Sequence, residues 1–129
     1  MSAHGFVEIT CKTGTQETKE IIRYDVFVAL LFKRQSFEVM KLHAALGVCG
    51  EAGELGDAIK KEVIYSKPVD IENLIEELGD LRFYMQAIQN IYQISEQELL
   101  QHNANKLSAR YVGLAYSDQA AQDRADKKE

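Results

Sequence analysis

The chain has 129 residues, of which 46% are hydrophobic and 27% charged, so it is long enough for one compact domain and short for two. Its formal net charge of −5 argues against a protein that coats nucleic acid, because that role needs clustered basic residues. The longest apolar run, near residues 26–32, is far too short to cross a membrane, and no signal peptide is evident. We therefore expect a cytoplasmic protein with no nucleic-acid or membrane partner.

The N-terminal region combines strand-like and helix-like signals. Residues 6–10 alternate between apolar and polar side chains, which is typical of a short strand, and Gly14 then predicts a turn. Residues 19–33 are dense in β-branched and aromatic side chains, and periodicity alone does not separate a helix from a buried strand there. We predict a helix for this run.

A long helix is predicted over residues 36–65. Its apolar stripe has the four-and-three spacing of a buried helical face, and consists of Ala45, Cys49, Ala52, Gly56, Ile59 and Val63. We therefore expect the Cys49 thiol to be buried. Cys11 and Cys49 have neither the spacing of a metal site nor that of a disulfide framework. Pro68 then predicts a loop, because it lacks an N–H donor and restricts the residue before it.

Two further helices follow this loop. The first spans residues 71–92, with the apolar stripe Leu74, Leu78, Leu81, Met85, Ile88 and Tyr92. A capping box at Ser95 and Glu98 begins the second, whose stripe is Leu100, Ala104, Leu107, Tyr111 and Leu114. The polar segment 117–129 is predicted to be frayed or to fold against a partner surface. The predicted fold is all-α, a bundle of four to five helices with two long central helices, assembled as an oligomer.

Each of the two predicted central helices carries a pair of acidic residues. Glu51 and Glu54 are three residues apart, as are Glu77 and Asp80. Carboxylates at this spacing project from nearly the same side of a helix. Two such pairs facing each other would supply the oxygen ligands that Mg²⁺ prefers, with substrate phosphates completing the coordination. The alternative is two solvated acidic faces.

Glycine recurs every third residue through the first acidic pair, at Gly47, Gly50, Gly53 and Gly56, and Gly79 lies inside the second pair. Each glycine in a helix interior costs about 0.8–1 kcal/mol relative to alanine. Close approach of another helix or of a bulky ligand is expected to offset this cost.

Three more side chains are predicted to lie near the acidic pairs. Asp57 extends the first pair by another three residues. His43 lies on the same helical face as Glu54, three turns earlier, and is a candidate for lining a ligand trough; the alternative is a histidine bonded to a backbone carbonyl. Tyr84 follows Glu77 by one heptad and is predicted to point toward the metal face, although a packed aromatic residue explains the same spacing.

A third helix contributes positive charge. Asn103, Lys106 and Arg110 follow three-and-four spacing, so they share one face. The two cations could neutralise phosphate oxygens, with arginine supplying a planar fork and lysine a point charge. The alternative is that they favour the negative end of the helix dipole and sit in water.

Three ordered motifs in this chain resemble the MazG-like, all-α nucleoside triphosphate pyrophosphohydrolases. They are HAALGVCGEAGELGDAIKK at residues 43–61, EELGD at 76–80 and NANKLSARY at 103–111. The resemblance covers roughly residues 19–111, and residues 1–18 match nothing in it. We therefore divide the chain into an N-terminal extension of uncertain structure (1–18), a MazG-like helical domain (19–112) and a polar tail (113–129).

The resemblance implies that Glu51, Glu54, Glu77 and Asp80 bind Mg²⁺, with Mn²⁺ as an alternative ion, and that Glu51 or Glu54 is the general base. We assign substrate binding to His43, Asp57, Lys60, Tyr84, Asn103, Lys106 and Arg110. The implied reaction cleaves a nucleoside triphosphate to the monophosphate and pyrophosphate. A phosphoribosyl-ATP pyrophosphatase and a non-catalytic helical interaction module are the alternatives. Because residues 24–32 are apolar nearly all round, we also expect a homodimer or homotetramer.

Overall fold

The computed structural model describes residues 5–124 and 126–127. Its elements in chain order are β1 (Phe6–Thr13), β2 (Gln16–Arg23), α1 (Tyr24–Leu31), α2 (Phe37–Val63), α3 (Ile71–Tyr92), α4 (Glu96–Arg110), a 3₁₀ turn (Val112–Leu114) and α5 (Asp118–Asp123). The chain divides after Gln93 into two compact units. Elements β1 to α3 form the first unit, and α4 to α5 belong to the second. Among the described residues, no helix is both long and apolar enough to cross a membrane.

The N-terminal region is a β-hairpin, which corrects the all-α prediction. Strands β1 and β2 pair antiparallel, with Val7 opposite Ile22. Gly14, at φ 60°, takes the left-handed conformation that the turn requires. The predicted strand and turn are confirmed, but the helix predicted from residue 19 begins only at Tyr24. The β-branched residues before Tyr24 pair across the hairpin, as in other strands of this composition.

Helix α1 is tied to its surroundings by polar contacts. Asp25 in its first turn accepts hydrogen bonds from the Arg23 Nε and Nη2 atoms at 3.1 and 2.6 Å. The Asn90 side-chain amide of α3 donates to the Asp25 carbonyl oxygen at 2.9 Å. The Gln86 side chain in turn donates to Asn90 Oδ1 at 2.9 Å. The bond from Asn90 therefore joins the first turn of α1 to α3, and the bond from Gln86 orients the Asn90 side chain.

The two long helices form an α-hairpin, and their predicted extents are confirmed. The Ser36 hydroxyl caps α2 by accepting from the Val39 N–H at 3.4 Å, and the Asp70 carboxylate caps α3 by accepting from the Asn73 N–H at 3.0 Å. Pro68 lies in the loop between them, as predicted. The core of the first unit consists of Val28, Phe32, Ala44 and Ala87. It therefore joins α1, α2 and α3.

The apolar stripe predicted to be buried on α2 lies instead on the outside of that helix. We call Ala45, Cys49, Ala52, Gly56, Ile59 and Val63 the outer face of α2. All six residues are exposed, including 45% of Ile59 and 67% of Val63. The expectation of a buried Cys49 thiol is therefore wrong for the single chain. Helix α2 is apolar or small on two sides, and α3 covers the side that carries Ala44.

In the second unit, the predicted cap at Ser95 is confirmed, and part of the tail forms a short capped helix. The Ser95 hydroxyl accepts from the Glu98 N–H at 3.0 Å, and α4 begins there as predicted. Residues 118–123 are not frayed, because Ser117 caps α5 by accepting from the Ala120 N–H at 3.0 Å. Asp126, beyond α5, forms an ion pair with Arg110 at the end of α4.

Candidate metal centre

Three of the four predicted metal ligands converge where α2 packs on α3. Glu51 of α2 and Glu77 and Asp80 of α3 each offer a carboxylate oxygen, and these oxygens lie within 4.8 Å of one another. Glu51 and Glu77 are half-buried and Asp80 is exposed. The i, i+3 spacing on α3 and the antiparallel course of the helices produce this arrangement. We call these three residues the acidic cluster.

The carboxylates in and around the acidic cluster repel one another. Desolvation and then repulsion from Glu54, Glu51 and Asp80 raise the pKa of Glu77 above its ordinary value. Glu54 is exposed and is not one of the three clustered carboxylates, so three of the four positions predicted to bind metal come together. Its charge nevertheless acts on Glu77.

Lys61, a cation that interacts electrostatically with Glu54 and Glu77, is paired with Asp57. Lys61 Nζ lies 2.8 Å from Asp57 Oδ2, one turn earlier on α2. Its pKa is raised mainly by Asp57, with smaller contributions from Glu54 and Glu77. The same ion pair lowers the pKa of Asp57. Asp57, predicted to bind substrate, is thus paired along its own helix.

The acidic cluster fits a small divalent cation by its chemistry and spacing. All three donors are carboxylate oxygens, which hard cations such as Mg²⁺ and Ca²⁺ prefer. Oxygens on opposite sides of an octahedral Mg²⁺ are about 4 Å apart, given metal–oxygen distances of about 2.0–2.1 Å. Small side-chain rotations would bring the three oxygens onto one ion. Bound cation would also relieve the repulsion that raises the pKa of Glu77.

Beyond the acidic cluster, α2 and α3 contribute an aromatic group, with Tyr84 about one turn after Asp80 and His43 about two turns before Glu51. The His43 ring stacks on Phe32, with centroids 4.9 Å apart and planes 28° apart. The His43 ring also meets Tyr84 edge-on at 5.8 Å. Tyr84 therefore packs against other rings, which agrees with the alternative interpretation of its spacing as a packed aromatic residue. His43 belongs to the same group of rings.

The glycine series is explained at one position. A Cβ atom at Gly47 would collide with the Tyr84 ring, so the expected close approach of another helix is confirmed there. Within the described part of the chain, the four other helical glycines have no such neighbour, and no atom lies within 4 Å of a Cβ built at Gly50, Gly53, Gly56 or Gly79. Space therefore remains beside the α2 backbone along most of the glycine series.

The other predicted substrate contacts have varied surroundings. The Lys60 ammonium lies 5.5 Å from the centre of the Tyr65 ring, at the end of its own helix. On α4 of the second unit, Asn103 is exposed and Lys106 is half-buried. Arg110 is held by Asp126, a residue that sequence reasoning missed. Helical periodicity does not link positions 110 and 126, so the sequence pattern did not predict this ion pair. The presence of acidic residues in a polar tail was the only indication of it.

A comparison with protein-family models places these features in a family. The model of the MazG nucleotide pyrophosphohydrolase domain matches residues 40–113, more than half of the chain. The match includes both acidic pairs and the α4 triplet, and it leaves the hairpin and α5 outside. Comparisons with curated proteins and with solved structures gave no match. The chain belongs to the MazG nucleotide pyrophosphohydrolase domain family.

Proposed function

We propose that this chain is a Mg²⁺-dependent nucleoside triphosphate pyrophosphohydrolase. It would cleave a ribo- or deoxyribonucleoside triphosphate to the monophosphate and pyrophosphate, in nucleotide pool control or house-cleaning. The observation that carries this proposal is the acidic cluster of Glu51, Glu77 and Asp80, in a chain of this family. A scaffold that had lost catalysis would have no need to keep three mutually repelling carboxylates together.

The acidic cluster would hold Mg²⁺, with Mn²⁺ as an alternative. The bound ion would neutralise phosphate charge, orient the triphosphate and make water a stronger nucleophile. Glu54 lies outside the cluster but close enough to act on Glu77, so we assign Glu54 rather than Glu51 as the carboxylate that accepts the proton of the attacking water. Glu51 then serves chiefly as a ligand.

The remaining contacts follow from charge and shape. Asn103, Lys106 and Arg110 would contact the phosphates, and the two cations would stabilise charge on the departing pyrophosphate. Tyr84 lies about one turn after Asp80, and His43 lies about two turns before Glu51. Their rings meet edge-on and would contact the sugar or the base. Asp57 and Lys60 would assist only after leaving their present partners.

The products of hydrolysis test the reaction. Removal of the γ-phosphate alone commonly uses a glycine-rich loop that opens a helix, and this sequence has no Walker-type loop. We expect attack at the α-phosphorus. In ¹⁸O-labelled water with a deoxynucleoside triphosphate, mass spectrometry should find the label in the monophosphate, with unlabelled pyrophosphate and no early orthophosphate.

Orthophosphate and a nucleoside diphosphate as first products would contradict the proposed reaction. Label in the pyrophosphate would show that the same bond is cleaved, but that water attacks the β-phosphorus. The same assay on phosphoribosyl-ATP is the control for substrate class, because faster hydrolysis of that compound would overturn the assignment of a free nucleoside triphosphate.

We also propose that the protein is a homodimer or a dimer of dimers that covers the outer face of α2. The exposed side chains next to the outer face include Leu42 and Leu46, at 60% and 61%. Large apolar side chains exposed beside a helix face of small and apolar residues favour contact with another subunit. A second copy of α2 has the matching small and apolar side chains.

Thiol labelling of Cys49 tests this assembly. In a Cys11→Ser background, Cys49 should react with a maleimide at least about tenfold more slowly in the native protein than in urea, because a second copy covers it. Thr15→Cys at the hairpin tip, in a protein lacking both native cysteines, is the freely reactive control. Rapid native labelling of Cys49, with a monomeric mass by light scattering at micromolar concentration, would refute the assembly.

A further inference from the structure

The ion pair between Arg110 and Asp126 joins the family motif on α4 to the tail outside it. Arg110 Nε donates to Asp126 Oδ1 at 2.5 Å, and Nη2 donates to Oδ2 at 2.9 Å. Only 1% of the Asp126 side chain and 15% of the Arg110 side chain are exposed. The matched family region ends at residue 113, so the tail carboxylate lies beyond it.

This geometry fixes the orientation of the guanidinium group. Two parallel N–H···O bonds hold its plane and remove much of the rotamer freedom that a long arginine side chain otherwise has. The Tyr111 ring, whose centre is 5.9 Å from the guanidinium carbon, limits its movement further. Asp126 occupies Nε and Nη2, which leaves the Nη1 donors outside this contact.

The pKa values of both groups reflect this pairing. Hydrogen bonding to Asp126, and after it to the Tyr111 side chain, raises the pKa of Arg110. Arg110 in turn lowers the pKa of Asp126. A nearly buried carboxylate is costly unless it is paired, so the tail carboxylate and the guanidinium group depend on each other. Among the described tail residues, the carboxylate of Asp123 makes a different bond, accepting from the Gln119 side chain at 2.6 Å.

We propose that Asp126 is a positioning residue, which orients Arg110 so that its remaining donors bind a phosphate of the triphosphate. This inference rests on the proposed function, in which Arg110 contacts the phosphates. Hydrogen-bond partners that orient metal ligands typically change metal affinity or activity about 10–100-fold when they are mutated, and we expect an effect of the same size for Asp126 behind Arg110. The tail would thereby set the affinity for the phosphate chain, although it supplies no contact of its own.

The test combines Asp126→Asn, Arg110→Ala, the double variant and the control Asp123→Asn. Asp126→Asn should lower kcat/KM about 10–100-fold and raise the inhibition constant of inorganic pyrophosphate by a similar factor. Mg²⁺ affinity, measured by calorimetry, should stay within twofold of the wild type. In the Arg110→Ala background, Asp126→Asn should have no further effect on kcat/KM. Asp123→Asn should leave all these quantities unchanged.

Additional variants separate positioning from simple anchoring of the tail. Arg110→Lys retains the charge but not the fork, so it should resemble Asp126→Asn; full activity of Arg110→Lys would overturn the proposal. If Asp126→Asn does not fold, Arg110→Lys, which leaves Asp126 beside a cation, should show the same loss of pyrophosphate affinity. Lower thermal stability with unchanged kcat/KM and pyrophosphate inhibition would show that the pair only anchors the tail.

Failure of the proposed function can be distinguished from failure of this inference. A wild-type protein that binds pyrophosphate but hydrolyses no triphosphate would count against the proposed function. The pyrophosphate affinities of the variants would still decide the role of Asp126.

Discussion

Glu77→Gln is expected to lower turnover about 10³-fold, equivalent to about 4 kcal/mol of transition-state stabilisation, while it raises the thermal stability of the metal-free protein. The two effects have one cause. Glu77 is the member of the acidic cluster whose pKa is raised, by desolvation and by repulsion from its acidic neighbours. A neutral amide relieves that repulsion, and it also removes a charged ligand from the ion that the cluster would hold.

The same repulsion predicts how stability depends on pH. Because the pKa of Glu77 is higher in the folded than in the unfolded chain, the folded state binds more protons between the two pKa values. The contribution of Glu77 to the stability of the metal-free protein should therefore decrease as pH rises through that interval. Glu77→Gln should remove this contribution. Mg²⁺ at neutral pH should restore stability to the wild type and not to the variant.

Thermal unfolding in EDTA and in Mg²⁺, followed by circular dichroism, measures these effects alongside turnover. Glu76→Gln is the matched control, because Glu76 adjoins Glu77 on α3 but is not one of the clustered carboxylates. It should retain both turnover and the response to Mg²⁺. A Glu77→Gln protein that keeps wild-type turnover, or that is less stable without metal, would show that the acidic cluster is an ordinary solvated surface.

The acidic cluster could be predicted because its geometry depends mostly on local rules. The spacing of Glu77 and Asp80 places both carboxylates on one side of α3, and the short loop at Pro68 returns the chain alongside α2. Spacing alone does not distinguish Glu51 from Glu54, which lies outside the cluster. That distinction depends on how α2 is rotated against α3, and the rotation is set by packing at positions such as Gly47 and Tyr84.

Non-local pairing explains the parts that could not be predicted. Residues 19–23 have a composition that suits both a helix and a strand, and their partner in β1 decides for the strand. The outer face of α2 has the spacing of a buried stripe, yet α3 covers a different side of the helix. Asp126 lies 16 residues after Arg110, too far for helical periodicity to link them. Each of these outcomes depends on contacts between segments rather than on local pattern.

Alanine at two glycines of α2 should have opposite effects on stability. At Gly47, a methyl group would meet the Tyr84 ring, which packs against Phe83 and His43 and so has little room to withdraw. Overpacking of this kind typically costs about 1–3 kcal/mol. At Gly50, no atom of the described residues lies within 4 Å of the new methyl group, so Gly50→Ala should increase the free energy of unfolding by about 0.8–1 kcal/mol through helix propensity alone.

The two variants should therefore differ by about 2–4 kcal/mol in the free energy of unfolding, measured by urea denaturation in EDTA so that bound metal does not contribute. This is a large part of the stability of a domain of this size. A neutral Gly47→Ala would mean that Tyr84 moves aside and that its packing does not fix the rotation of α2. Destabilisation by Gly50→Ala would mean that another body fills the space beside Gly50 in the assembled protein. Labelling of Cys49 in the Gly50→Ala variant would then show whether a second copy of the chain fills that space. If it does, Cys49 should be protected from labelling in the wild type and should react faster in the variant.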